Sequence, residues 1–192
     1  LTEAREKARA LGDALPSDAL LWRHGDMRHF RLDTPVDLAT CLYDSLNYML
    51  TDQDLLATFR RVHAALRPGG LFFADMNTAY ALETYWADQT YVTDSPELTV
   101  IMDSDHDQAI HRTTVTVTCF QRTGDLYRKI QETHLEQAYP NEHVATLLSD
   151  AGFRVEASYA CFSERPPDEY TTRVFWVARK PGAPVHAEEP GR

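Results

Sequence analysis

The sequence predicts an open α/β sheet carrying a small antiparallel β insert, and three patterns predict it. Two apolar runs, 36–42 and 71–74, each stop abruptly in polar or aromatic side chains: Tyr43-Asp44-Ser45 after the first, Asp75-Met76-Asn77 after the second. A helical pattern joins them, so both strands place polar groups at the C-terminal edge of one sheet, where open α/β folds bind ligands. Between 113 and 121, Val115, Val117 and Cys119 alternate with Thr114, Thr116 and Thr118, the period of an antiparallel strand with one covered face.

The elements follow in order. Residues 2–11 read as a helix with Ala4, Ala8 and Leu11 on one side and Glu3 paired four residues from Lys7; Gly12 ends it. Residues 19–23 read as a short strand leading into Gly25-Asp26-Met27, and 36–42 as the next strand. Thr51 caps a helix with Asp54 at its third position, and Leu55, Phe59, Val62 and Leu66 form its buried stripe. Pro68-Gly69-Gly70 stops that helix and turns the chain into a strand over 71–75. Residues 78–86 read as helical, then 99–102, 113–121 and 126–139 as strands, with a tight turn at Gly124-Asp125. Asn141 caps a helix carrying Val144, Leu147, Leu148 and Ala151, stopped by Gly152. Strands over 154–162 and 171–179 close the framework, and the Pro-, Gly- and Ala-rich residues 181–192 read as a loose tail.

Composition narrows the function. A chain of 192 residues with 43% hydrophobic and 25% charged residues makes one domain, or one domain with an insertion. A formal net charge of -10 argues against a nucleic-acid partner, which needs a basic footprint. Cys41, Cys119 and Cys161 are odd in number, far apart and free of any CxxC pair, so buried free thiols in a reducing cytoplasm are expected. No apolar stretch approaches the ~20 residues of a membrane span, and no secretory leader is read. The histidines form no HExxH pair, and no metal site is expected. The run 103–107 imitates a calcium loop, but Gln108 stands where glycine is required and Thr114 where the closing glutamate belongs, so a solvated turn is expected.

With these residues the chain resembles a class I S-adenosylmethionine-dependent methyltransferase. Gly25-Asp26-Met27 resembles the loop after that family's third strand, where an acidic side chain accepts from the adenine amino group. Cys41-Leu42-Tyr43-Asp44-Ser45 resembles the loop after the fourth strand, and Leu66-Arg67-Pro68-Gly69-Gly70 the approach to the fifth. An insert between the fifth strand and the last helix is similar to that of glycine N-methyltransferase and related small-molecule enzymes. The resemblance implies a Rossmann-like core over 1–86 and 141–180, an insert over 87–140 that covers the substrate, and a tail over 181–192. It implies S-adenosylmethionine as cofactor, held by Asp26, Met27, Cys41 and Leu42. It also implies Asp44 and Tyr43 as catalytic residues, with Asn47, Tyr48, Asn77, Tyr139 and Arg173 toward the acceptor.

Each residue has a plainer reading. Asp26 and Asp44 suit turns that satisfy their own backbone, Asn77 suits a helix cap, and Tyr43 and Tyr48 suit packing. Tyr85, Trp86 and Tyr91 read as packing residues. The family's order, 3-2-1-4-5-7-6, leaves two strands and the Gly-x-Gly turn unaccounted for in this sequence. The expectation is therefore an upstream segment of roughly 40–60 residues, or else a chain without a normal donor site. The expected activity is in-line methyl transfer to a small-molecule acceptor by a monomer or homodimer. A catalytically degenerate scaffold that binds a protein partner is the alternative. A dinucleotide oxidoreductase is disfavoured for want of a Gly-x-Gly-x-x-Gly turn.

Overall fold

A computed structural model describes residues 2–10 and 20–182. Helix α1 (Thr2–Ala10) carries the expected Glu3–Lys7 pair at 3.0 Å. Leu11, Gly12, Ala19 and the tail from 183 lie outside the described residues. The strand expected over 19–23 is not seen: Leu20 to Arg23 form no ladder, and Leu21 is 77% exposed. Apolar character alone does not make a strand without a neighbour to pair with.

Strand β1 (Val36–Cys41) starts the sheet. Helix α2 (Asp52–Ala65) begins as expected, with the Thr51 hydroxyl accepting from the Asp54 amide at 3.1 Å and Asp52 and Asp54 in the first turn. Its buried residues are Leu55, Thr58, Phe59, Val62 and Ala65, and Leu66 beyond its end is buried too. Strand β2 (Leu66–Asn77) is longer than expected because it starts before the glycine turn. Gly69 sits at φ 82°, and a Cβ on Gly70 would come within 2.9 Å of the Arg67 carbonyl and 3.0 Å of that of Asp37. Only glycines let the strand bend there against β1.

After a π-helical turn (Ala81–Tyr85) the chain builds a second sheet from β3 (Thr90–Asp94), β4 (Leu98–Asp107), β5 (Arg112–Thr123) and β6 (Leu126–Gln137), each antiparallel to the next. β3 was not expected. The run 103–107 is strand rather than turn, since β4 pairs with β5 as far as Asp107↔Arg112. In β5 the most deeply buried residues are Thr113 and Thr118, not the valines.

Helix α3 (Asn141–Asp150) takes its N-cap at Pro140, so Asn141 is the first helical residue and caps nothing. Strands β7 (Arg154–Ala160) and β8 (Arg173–Arg179) complete the first sheet in the order β1-β2-β8-β7, with β1 and β2 parallel and β8 antiparallel to both its neighbours. That arrangement is the 4-5-7-6 half of the expected order.

The register places Phe72, Ala74 and Met76 of β2 opposite Ala178, Trp176 and Val174 of β8, all on one face. α2 and α3 pack over that face through Leu55, Phe59, Val144 and Leu148, making one continuous core. The three cysteines are free but only half-buried, shallower than expected, because each lies near a strand end or on the insert sheet.

Candidate active site

The C-terminal ends of β1 and β2 and the N-terminal end of the antiparallel β8 converge on a buried polar cluster. At the end of β1 the backbone turns through two consecutive left-handed residues, Tyr43 at φ 58° and Asp44 at φ 49°. Such a conformation costs an L-residue about 1–2 kcal/mol, which Asp tolerates better than Tyr. The turn aims the Asp44 amide at Asp75, to whose Oδ1 it donates at 2.7 Å. Arg173, on β8 opposite Asn77, donates through Nη1 to the same Asp75 oxygen at 3.3 Å and through Nη2 to Asp44 Oδ1 at 2.9 Å. Their side chains are 23%, 10% and 19% exposed, respectively.

One residue further along the edge, Asn47 is fully buried in the 3-10 turn Ser45–Tyr48. Its Nδ2 donates to the carbonyls of Asn77 (3.0 Å) and Gln137 (3.1 Å), while its Oδ1 accepts from the Asn77 amide (3.0 Å). The Asn77 side chain in turn donates through Nδ2 to Glu136 Oε2 at 2.8 Å. Burial pushes the Glu136 carboxyl above its ordinary range, Asn77 opposes that shift, and the neighbouring Asp44 adds to it.

Between this edge and the inner face of the insert sheet lies a pocket of about 330 Å³. Asp44, Asn77, Glu136 and Arg173 form its polar floor, and Leu82, Trp86, Tyr91, Met102 and Val115 line the rest with Ser104 and Thr113. Trp86 and Tyr91, expected to be packing residues, therefore face the pocket. Glu136, Ser104, Thr113 and Met102 were not singled out from sequence. A residue in a strand as polar as β6 gives no signal of which face it serves.

The other candidates fall elsewhere. Tyr139 is buried in the core, its hydroxyl bonded to the Met49 carbonyl and its ring stacked on His143, so it does not line the pocket. Tyr48 is half-exposed at the side of the cluster, its hydroxyl 2.9 Å from His134 Nδ1. Tyr43 is 82% exposed and Leu42 is exposed.

Asp26 and Met27 lie in a second concavity of about 540 Å³ with Gly25 and Phe30. The Asp26 carboxylate accepts from the Arg28 amide at 2.8 Å and from its guanidinium at 2.7 Å, which holds it well below the usual carboxylate range. Met27 Sδ is 3.7 Å from Cys41 Sγ, and burial with the Asp75 charge pushes that thiol up to about 11. Among the described residues no group of three or more His, Cys, Asp or Glu side chains is arranged to hold a metal.

Comparison with known proteins agrees with this geometry. No protein-family model matches the chain. It is 27% identical over 169 residues to "Putative methyltransferase YqeM" of Bacillus subtilis (strain 168), covering 85% of this chain and 67% of the relative. A second relative, a "Putative methyltransferase" of Geobacillus sp. (strain WCH70), is 30% identical over 145 residues, or 75% of this chain and 59% of that protein. The chain thus spans about six to seven tenths of the length of these curated relatives. A crystal structure of an S-adenosylmethionine-dependent methyltransferase from Clostridium acetobutylicum ATCC 824 superposes with a TM-score of 0.84 at 25% identity, over 94% of this chain and 71% of that one. By fold the chain is therefore an α/β Rossmann-like protein of the methyltransferase type, and in sequence and structure it is similar to methyltransferases that include S-adenosylmethionine-dependent enzymes.

Proposed function

We propose that the protein transfers a methyl group from S-adenosylmethionine to a small-molecule acceptor held in the 330 Å³ pocket between the sheet edge and the insert. The pocket carries this reading: it is a concave, largely apolar cleft with a polar floor at the end of the sheet where such folds keep their chemistry. Residues 87–140 act as the cover of the acceptor.

The residues present suit the cofactor. Asp26 retains lone pairs on a side chain that is 41% exposed, so it can accept from an adenine amino group while still holding Arg28. Met27 and Cys41 offer a soft apolar surface beside it, continued by Leu42. When bound, the cofactor supplies an electrophilic methyl on a good leaving group, so no nucleophilic side chain or metal is required of the protein. The chain's task is to orient and to exclude water, which lowers a displacement barrier by several kcal/mol. Arg173 fixes the Asp44 carboxylate, and the left-handed turn fixes its backbone, so Asp44 stands rigidly at the junction of donor edge and acceptor pocket. Tyr43, beside it, presents an exposed ring suited to a cationic sulfonium.

The scaffold alternative draws on one observation, the occupation of Asp26 by Arg28. Titrating the whole protein with S-adenosylhomocysteine separates the two readings. One-to-one binding, weakened at least tenfold by Asp26→Ala, is expected. Absence of binding would leave the scaffold.

A further inference from the structure

The charge balance of the pocket says what kind of acceptor it takes. Three carboxyl groups, Asp44, Asp75 and Glu136, line the site with one guanidinium, and Arg173 directs both of its ion pairs to Asp44 and Asp75. Among the described residues Glu136 has no ion-pair partner; the neutral amide of Asn77 donates to its Oε2, and burial and the Asp44 carboxyl beside it push its titration range up. Oε1 accepts nothing from the described residues and is not sealed from the pocket that Glu136 lines. A carboxylate only 7% exposed, beside a second carboxyl and with no cation in direct contact, carries a desolvation and repulsion cost that a positively charged or N–H-rich ligand would offset.

The rest of the lining agrees. Trp86 and Tyr91 offer π faces, and Leu82, Met102 and Val115 offer apolar surface. Arg173, the floor's only cation, is already paired twice and is a poor receptor for an acidic ligand.

We propose that Glu136 receives the amino group of the acceptor, so that the pocket takes a primary or secondary amine borne on an apolar, ring-sized body. This rests on the methyltransferase reading for the word acceptor; the amine site itself rests on Glu136 and its surroundings. Glu136 is then a binding residue supplied by the insert, facing Asp44 supplied by the core. The raised titration range of its carboxyl agrees with a group waiting for a counter-charge.

The test uses three probes of one shape: 2-phenylethylamine, 2-phenylethanol and 3-phenylpropionate. Their binding to the whole protein is measured by calorimetry at neutral pH, with and without S-adenosylhomocysteine. The amine should bind at least tenfold more tightly than the alcohol and the acid. Glu136→Gln should remove that preference while leaving the affinity for S-adenosylhomocysteine unchanged. Met102→Lys, which adds a cation at a rim position 40% exposed, should weaken the amine similarly without touching Glu136 or the core.

Equal binding of amine and alcohol, binding of none of the three, or an amine affinity unmoved by Glu136→Gln would overturn the proposal. A protein that binds the amine through Glu136 but not S-adenosylhomocysteine would retain the amine site and refute the methyltransferase reading. Binding of S-adenosylhomocysteine without the amine preference would do the reverse.

Discussion

Asn47 and Asn77, thirty residues apart, exchange a pair of hydrogen bonds: the side-chain amide of Asn47 meets both the N–H and the C=O of Asn77 at 3.0 Å. The side chain takes the place of a neighbouring strand's backbone where β2 runs out of partners. A third bond to the Gln137 carbonyl ties the end of β6 to the same point.

Asn47→Leu keeps the volume and removes all three bonds, leaving two carbonyls and an amide buried. Each such group costs about 1–3 kcal/mol, partly relieved by relaxation, so a loss of about 3 kcal/mol in urea unfolding is expected. A loss under about 1 kcal/mol would show that the edge does not depend on this link.

Arg173→Met leaves the Asp44 and Asp75 carboxylates facing each other without a cation. Breaking a largely buried ion pair costs about 3 kcal/mol, and the double variant with Asp44→Asn should recover part of it. The check is a double-mutant cycle by chemical denaturation at neutral pH; strict additivity would contradict the shared guanidinium.

Glu136→Gln should bind amines poorly yet be at least as stable as the wild type at neutral pH. The folded pKa of Glu136 is raised above its unfolded value, so ionisation favours the unfolded chain. The wild type is penalised fully above the folded pKa, and the penalty fades as pH falls back to the unfolded value near 4.5. Denaturation midpoints of the pair should therefore converge toward acid pH and separate toward neutral. Separation in the opposite sense would mean the carboxylate is stabilised where it sits.

Gly70→Ala places a methyl within 3.0 Å of two backbone carbonyls, that of Arg67 in β2 and that of Asp37 in β1. Overpacking of this kind costs about 1–3 kcal/mol, to be read as a lower thermal midpoint. An unchanged midpoint would show that β1 and β2 can slide apart at that end.

The framework was legible where apolar runs met polar stops. Tyr43-Asp44 and Asp75-Met76-Asn77 marked the sheet edge because buried strands stay apolar until they reach the ligand side. Thr51 and Asp54 marked the helix start because a cap needs a hydroxyl three residues before an amide. The site itself was half legible. Arg173 lies 98 residues from Asp75, and nothing local announces that both meet at one oxygen.

Glu136 sits in a strand whose first eight residues are all exposed, so its inward direction depends on the pairing with Thr113. Leu20-Leu21-Trp22 looked like a strand because composition reports burial tendency, whereas a strand also needs a partner's ladder.

The insert is fixed to the core at its root. The Thr113 hydroxyl donates to the Leu82 carbonyl at 3.0 Å, and Gln137 receives Asn47. Both bonds lie at the root of the insert, so swinging the sheet away as a lid would break polar contacts on two sides. Traffic must then pass at the opposite end, where Tyr91 and Met102 are 44% and 40% exposed and can change rotamer on the nanosecond scale. Exchange of small ligands should accordingly be fast, governed by side-chain gating at the mouth rather than by the slower motion of a hinge.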